Sequence, residues 1–225
     1  MIKRVLVALA ASALVGAAAQ AAGVNGATVS KDKRITSVPH GSSIYTPARM
    51  PVGAGKLIWS NIGYKYPNGL YFCCYGNTIS GSASVVGQTF WLAASFTPAV
   101  DSTVKEVDAG VGYVTGTNKV IVTLYDDNGG VPGKSLASGA ATGLTTFGSC
   151  CGLAILDDKV KVKGGSTYWV GVTTDGAGSD TWAAWNFNST DQINPVTVAV
   201  SNGGAWSNAG GEIPAPSFAI IGKAD

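Results

Sequence analysis

The sequence predicts an all-β domain of the sandwich or barrel kind, and three observations carry that prediction. Apolar residues recur at every second position through much of the chain, and clusters of Gly, Asn, Asp and Pro interrupt it at short intervals. No segment keeps apolar residues at helical spacing over the roughly ten residues that an ordinary helix needs. Composition agrees with the pattern. Only 12% of the residues are charged while Gly numbers 31, so Thr, Ser, Asn and Gly must build the surface in place of the helix-forming Glu, Lys, Leu and Gln.

Taken from the start, Met1-Ile2-Lys3-Arg4 precedes an uncharged run from Val5 to Ala19, and Ala19-Gln20-Ala21 has the small-x-small spelling of a signal-peptidase site. Residues 1–21 therefore read as a secretory signal peptide. The run falls short of the about 20 apolar residues a membrane-spanning helix needs, and no Cys stands near the cleavage site to carry a lipid. No transmembrane anchor is expected, and the destination is the periplasm or the cell exterior. Residues 22–55 carry Lys31-Asp32-Lys33-Arg34 and are broken by Pro39, Pro47 and Pro51, the signature of an extended or poorly ordered leader.

The body, residues 56–225, is expected to form one β-sandwich, a size such folds often reach as one unit. It begins at Lys56-Leu57-Ile58-Trp59, and steady alternation follows the aromatic stretch from Tyr64 to Tyr75. Phe90, Leu92, Ala94 and Phe96 share one strand face, and Val120, Val122 and Leu124 repeat the pattern. Further strands are expected at Val104–Val114, Leu153–Leu156, Lys159–Val162, Thr167–Thr174, Thr181–Phe187, Val196–Val200 and Phe218–Ile221, giving roughly ten. Between them, Asp126-Asp127-Asn128-Gly129-Gly130-Val131-Pro132-Gly133 and Asn202-Gly203-Gly204 supply turn residues that accept positive φ, with a Pro that fixes its own.

Cleavage after residue 21 takes two of the fifteen basic residues, Lys3 and Arg4, and none of the thirteen acidic ones, so the mature chain is formally neutral. The remaining basic residues are scattered, and Lys159, Lys161 and Lys163 alternate as the wet face of a strand. A clustered positive field is missing, which argues against nucleic acid as a partner.

Four cysteines stand as two adjacent pairs, Cys73-Cys74 and Cys150-Cys151. In an exported chain disulfides are the default reading, and three connectivities are open. A bond within each pair works against geometry, because neighbouring Cα atoms lie about 3.8 Å apart while disulfides prefer roughly 4.4–6.8 Å. Crossing bonds would contribute roughly 4–5 kcal/mol by loop entropy, and they need both segments to leave strand geometry, since neighbouring strand residues point to opposite faces. Adjacent cysteines do not suit the spacing of zinc ligands.

The catalytic spellings are missing. The single histidine, His40, lies in the Pro-broken leader, and no G-x-S-x-G, H-E-x-x-H or P-loop pattern occurs. Carboxylates at Asp101, Glu106, Asp108, Asp157, Asp158, Asp180 and Glu212 offer a glycosidase-like pair in principle, yet no spacing selects one. No cofactor is expected; calcium is the one ion considered, at the oxygen-rich loops Asp126-Asp127-Asn128 and Asp175 to Asp180, which lack an EF-hand spelling.

Aromatic residues make the best case for binding. Strand alternation in Trp182-Ala183-Ala184-Trp185-Asn186-Phe187-Asn188 sets Trp185 and Phe187 on one face and Trp182 with Asn186 on the other. Trp stacks on the flat apolar faces of sugars while Asn serves their hydroxyls, so Trp182, Asn186 and Trp206 are the candidate ligand contacts, with core packing as the alternative for each Trp.

The spellings Gln88-Thr89-Phe90, Phe96-Thr97, Val122-Thr123-Leu124-Tyr125 leading into Asn128-Gly129-Gly130-Val131-Pro132-Gly133, and Thr167-Tyr168-Trp169-Val170 occur in an order that resembles the secreted bacterial β-sandwich domains grouped as choice-of-anchor proteins. The likeness runs from about Gln88 to Gly222. It implies a jelly-roll-like antiparallel sandwich and an extracellular setting, and it carries over no catalytic residues. The expected function is that of a secreted, non-enzymatic protein that binds an extracellular glycan or serves as an envelope or matrix component. A two-carboxylate polysaccharide hydrolase and a self-associating structural subunit are the alternatives.

Overall fold

A computed structural model describes residues 27–29, 34–37, 55–62, 71–148, 153–188, 196–210 and 213–225, with the backbone alone for 27–29, 34–37 and 71–74. Among the described residues every regular element is a strand. In chain order these are β1 (Ala27–Val29), β2 (Arg34–Ser37), β3 (Lys56–Ser60), β4 (Tyr71–Ser80), β5 (Trp91–Phe96), β6 (Ser102–Ala109), β7 (Val111–Thr115) and β8 (Lys119–Asp127), followed by β9 (Pro132–Thr142), β10 (Ala154–Val162), β11 (Tyr168–Thr173), β12 (Trp182–Asn188), β13 (Val198–Ser201), β14 (Ser207–Asn208) and β15 (Phe218–Ala224). The segment expected to be a signal peptide and most of the expected leader lie outside the described residues.

The strands form three antiparallel sheets: a five-stranded sheet ordered β1-β2-β4-β12-β7, a four-stranded sheet ordered β10-β6-β15-β3, and a six-stranded sheet ordered β14-β13-β5-β11-β8-β9. The first two share a hydrogen-bonded seam. Gly110, between β6 and β7, donates its N–H to the Ser217 carbonyl and accepts from Asn186 N, while Ser217 N donates to the Asn186 carbonyl. The segment expected as one strand, Val104–Val114, is therefore two strands that serve different sheets.

Alternation decides which side chains fill the core. Leu92, Ala94 and Phe96 of β5, Val120, Val122 and Leu124 of β8, and Val170 and Val172 of β11 point inward from the six-stranded sheet. They meet Val104, Val107, Val111, Ala183, Trp185, Phe218 and Ile220 from the other two, the arrangement of a β-sandwich. Phe218 anchors an aromatic group within this core: Trp59 stacks on it with ring centroids 4.5 Å apart, and Trp185 meets it edge-on at 6.1 Å. The Trp185 indole Nε1–H, inside the core, donates to the Ser217 carbonyl at 2.8 Å. A buried donor thus keeps the partner that burial requires.

Other differences from expectation have local causes. The two strands expected at 153–156 and 159–162 are one strand, β10, interrupted by a register shift between Asp157 and Val160 where it pairs with β6. Lys159, Lys161 and Lys163 are exposed around it, as the alternation requires. β9 was not expected at all. Its sequence, Pro132-Gly133-Lys134-Ser135-Leu136-Ala137-Ser138-Gly139-Ala140-Ala141-Thr142, has a single β-branched residue, Thr142 at its end, and it is a strand because it pairs along its length with β8.

Candidate functional site

The sequence-derived aromatic candidates do not come together. β12 runs between β4 and β7 with both faces covered, so all seven of its residues are buried. Trp185 faces the main core, as alternation predicted. Trp182 is 0% exposed and packs with Val114, Ala184, Phe147 and Val86 on the other face. Its cover comes from outside the sheet: the segment carrying Phe147 crosses so near Gly112 that a Cβ there would lie 2.8 Å from the Phe147 Cα. Asn186 is 3% exposed. Trp182 and Asn186 are therefore interior residues and present no face to a dissolved ligand, which corrects the expectation of an exposed aromatic strand. Trp206 lies elsewhere, half-buried on the outer face of the six-stranded sheet, with its ring edge-on to Tyr125 at 6.0 Å.

That outer face carries a second apolar cluster of Ala93, Trp169 and Ala199, packed against Tyr125 and Trp206. Tyr125 is largely withdrawn from water, and the desolvation of its phenolate raises its pKa above 10.0, with a hydrogen bond to Thr123 acting in the opposite sense.

Beside this cluster, at one end of the six-stranded sheet, is a cleft of about 530 Å³. Here β5 and β8 end and β11 and β13 begin, so antiparallel pairing gathers residues from distant parts of the chain. Ser95 and Trp169 are cross-strand partners, and Ser95 Oγ accepts from Thr197 N at 3.0 Å. Thr97, Thr167 and Thr197 follow or precede their strands at this same end, and Asn208 closes the side toward β14. The hydroxyls of the three threonines have no hydrogen-bond partner among the described residues. Trp59 and Phe96 form the inner wall, with Trp59 backed by Phe218.

Asp127 is the one carboxylate among the described lining residues, and none of those residues is Lys, Arg or His. Its orientation is fixed. Trp169 Nε1–H donates to Oδ1 at 2.7 Å, and Gly130 N donates toward both carboxylate oxygens at 3.2 Å. Gly130 can do so because it closes the turn at φ +91°, a conformation that glycine adopts without strain. The turn read from Asp126 to Gly133 thus delivers a carboxylate to the rim of the cleft.

The other oxygen-rich positions are engaged in turns. Asp126 Oδ1 accepts from Lys134 N, Asp175 pairs with Lys119 at 2.6 Å, and Asp180 accepts from Thr117 N at 3.0 Å. Hydrogen bonds from Thr117 hold the Asp180 carboxyl below its ordinary pKa. Among the described residues no three His, Cys, Asp or Glu side chains stand close enough together to hold a metal ion.

The side chains of Cys73 and Cys74, and all of Cys150 and Cys151, lie outside the described residues. The backbone of β4 shows what surrounds the first pair. While β12 advances from Asn186 to Asn188, β4 advances from Gly76 to Tyr71, so the cysteines occupy a bulge that departs from regular alternation.

None of the cleft residues except those in quoted motifs was legible as a site. Their signal was positional, a hydroxyl-bearing residue just outside each strand end, and it becomes visible only once strand order is known. Comparison with family models, curated proteins and solved structures finds no match to this chain.

Proposed function

We propose that this protein is an exported, non-enzymatic binding module and that the cleft at the end of the six-stranded sheet receives a carbohydrate. The observation that carries the reading is the pairing, in one cleft, of an indole wall with uncommitted hydroxyls: half-buried Trp59 beside Thr97, Thr167 and Thr197. Sugars have an apolar ring face and a rim of hydroxyls, and a site with both kinds of surface is complementary to them. The volume falls in the about 300–1,000 Å³ range of small-molecule sites. A glycosidase would need a second carboxylate facing Asp127 across the scissile bond at about 5–10 Å, and the described lining supplies none. This favours binding over hydrolysis.

The test is a glycan array read with the purified wild-type protein and with the double variant Thr97→Val/Thr197→Val. Both residues are exposed, so the fold is expected to survive, which circular dichroism checks. Retention of a glycan class by the wild type, weakened at least about tenfold in the variant by loss of two hydroxyl contacts, supports the reading. Retention of no glycan overturns it, and release of new reducing ends from a retained glycan would convert it into a hydrolase.

A further inference from the structure

We infer that the cleft selects an uncharged sugar through a pair of adjacent hydroxyls bound to Asp127, and that it rejects acidic sugars; this inference rests on the carbohydrate reading above and adds the ligand's charge and the residue that reads it.

The argument starts from what Asp127 does and does not have. Its carboxylate is exposed and is held from behind by two protein N–H groups, Trp169 Nε1 and Gly130 N. An ionised carboxylate offers about four acceptor sites on two oxygens. The contacts to Trp169 and Gly130 leave acceptor capacity on both oxygens. Neutral N–H donors fix its direction without neutralising its charge, and no cation lines the cleft among the described residues. The described lining therefore carries one net negative charge with a set orientation.

Two hydroxyls on neighbouring ring carbons can donate side by side to the two oxygens of one carboxylate, in the same forked geometry by which a carboxylate receives two parallel donors. The apolar face of such a ring then has Trp59 to rest on, and the hydroxyls of Thr97, Thr167 and Thr197, which both donate and accept, serve the rest of the rim. A uronate or sulfated sugar would bring a second negative charge against Asp127 with no lysine or arginine among the described lining residues to receive it, and like charges brought together in a partly desolvated cleft repel. A quaternary ammonium would satisfy the charge but leave the three threonine hydroxyls without partners, which is why a sugar is the better fit.

Saturation-transfer NMR and titration calorimetry would be run on the purified protein with gluco-, galacto- and manno-oligosaccharides, their monodeoxy analogues, the matching uronate oligomers, and tetramethylammonium. The expected result is that at least one neutral oligosaccharide binds, that removal of one hydroxyl of an adjacent pair weakens it about ten- to hundredfold, the range for a hydrogen bond to a charged group, and that the matching uronate does not bind. Asp127→Asn keeps an acceptor for Trp169 and Gly130 while removing the charge. It should weaken the neutral sugar and narrow the gap to the uronate.

Equal binding of the uronate and the neutral sugar by the wild type, or an unchanged preference in Asp127→Asn, overturns the inference while leaving the cleft as a sugar site, provided Thr97→Val/Thr197→Val still weakens binding. Tighter binding of tetramethylammonium than of every sugar overturns it too. If no sugar binds at all, the carbohydrate reading itself fails and the inference with it.

Discussion

The ring of Tyr125 on β8 lies directly over the backbone of Gly171 on β11, so near that a Cβ built on the glycine would stand 2.7 Å from the tyrosine Cε2. These residues are diagonal neighbours on the outer face, since Gly171 itself pairs with Thr123. The missing side chain at 171 makes room for the ring, and Trp206 packs edge-on against Tyr125.

Gly171→Ala is accordingly expected to destabilise the protein by about 1–3 kcal/mol, the cost of adding a methyl group to a filled site, and to change the emission of Trp206 by displacing Tyr125. Urea denaturation together with tryptophan fluorescence checks this. An unchanged midpoint with unchanged emission would mean that the ring moves aside without cost.

Two buried tryptophans on one strand should respond differently to the same substitution. Trp185 donates its indole N–H to the Ser217 carbonyl, whereas Trp182 Nε1 is buried with no hydrogen-bond partner among the described residues. Both lose similar volume on change to Phe, but only Trp185→Phe breaks a buried hydrogen bond, the Ser217 carbonyl keeping its other bond from Gly110 N. Only Trp182→Phe removes an unsatisfied donor. Trp185→Phe should therefore cost about 1–3 kcal/mol more than Trp182→Phe; equal midpoints in denaturant would contradict this.

Burial of Tyr125 makes stability depend on alkaline pH. Its folded pKa lies above the 10.0 of a free tyrosine, so the folded state holds the phenol proton more tightly than the unfolded chain does. This contribution is fully present below pH 10 and is lost as the pH rises through the folded value. Unfolding free energy measured against pH should fall above about 10, and Tyr125→Phe should flatten that part of the curve. A parallel fall in the variant would assign the loss to other groups.

The acid side has a matching device at Asp180, with the opposite sign. Hydrogen bonds from Thr117 lower its pKa below 3.8, so its contribution is present above pH 3.8 and disappears as the pH falls through the folded value. The expected readout is local. In an NMR titration the Thr117 amide should shift with a midpoint below 3.8, and Asp180→Asn should abolish that step.

Much of the fold could be read directly from the chain because inward and outward residues alternate cleanly where a strand has one wet face. β8 comes nearest to such a strand, and β5, although buried on both faces, still sets Leu92, Ala94 and Phe96 inward as predicted. β9 escaped because its strand character lies in its partner, and β12 misled because its second face is covered by the chain around Phe147, a contact that no periodicity within residues 182–188 encodes. The cleft was illegible for a related reason. Thr97, Thr167 and Thr197 share no spacing, and it is the order β13-β5-β11 that places their strand ends side by side.

Trp59 stacks one way on Phe218 and borders the cleft the other way. The interior and the cleft thus have a partition in common. A substitution that loosens the packing behind Phe218 would blur the shape offered to a ligand far from the altered residue, and a ligand pressed against Trp59 would stiffen the packing behind it. Under the proposed sugar-binding role, tolerance to mutation in this part of the core is set by recognition as well as by folding.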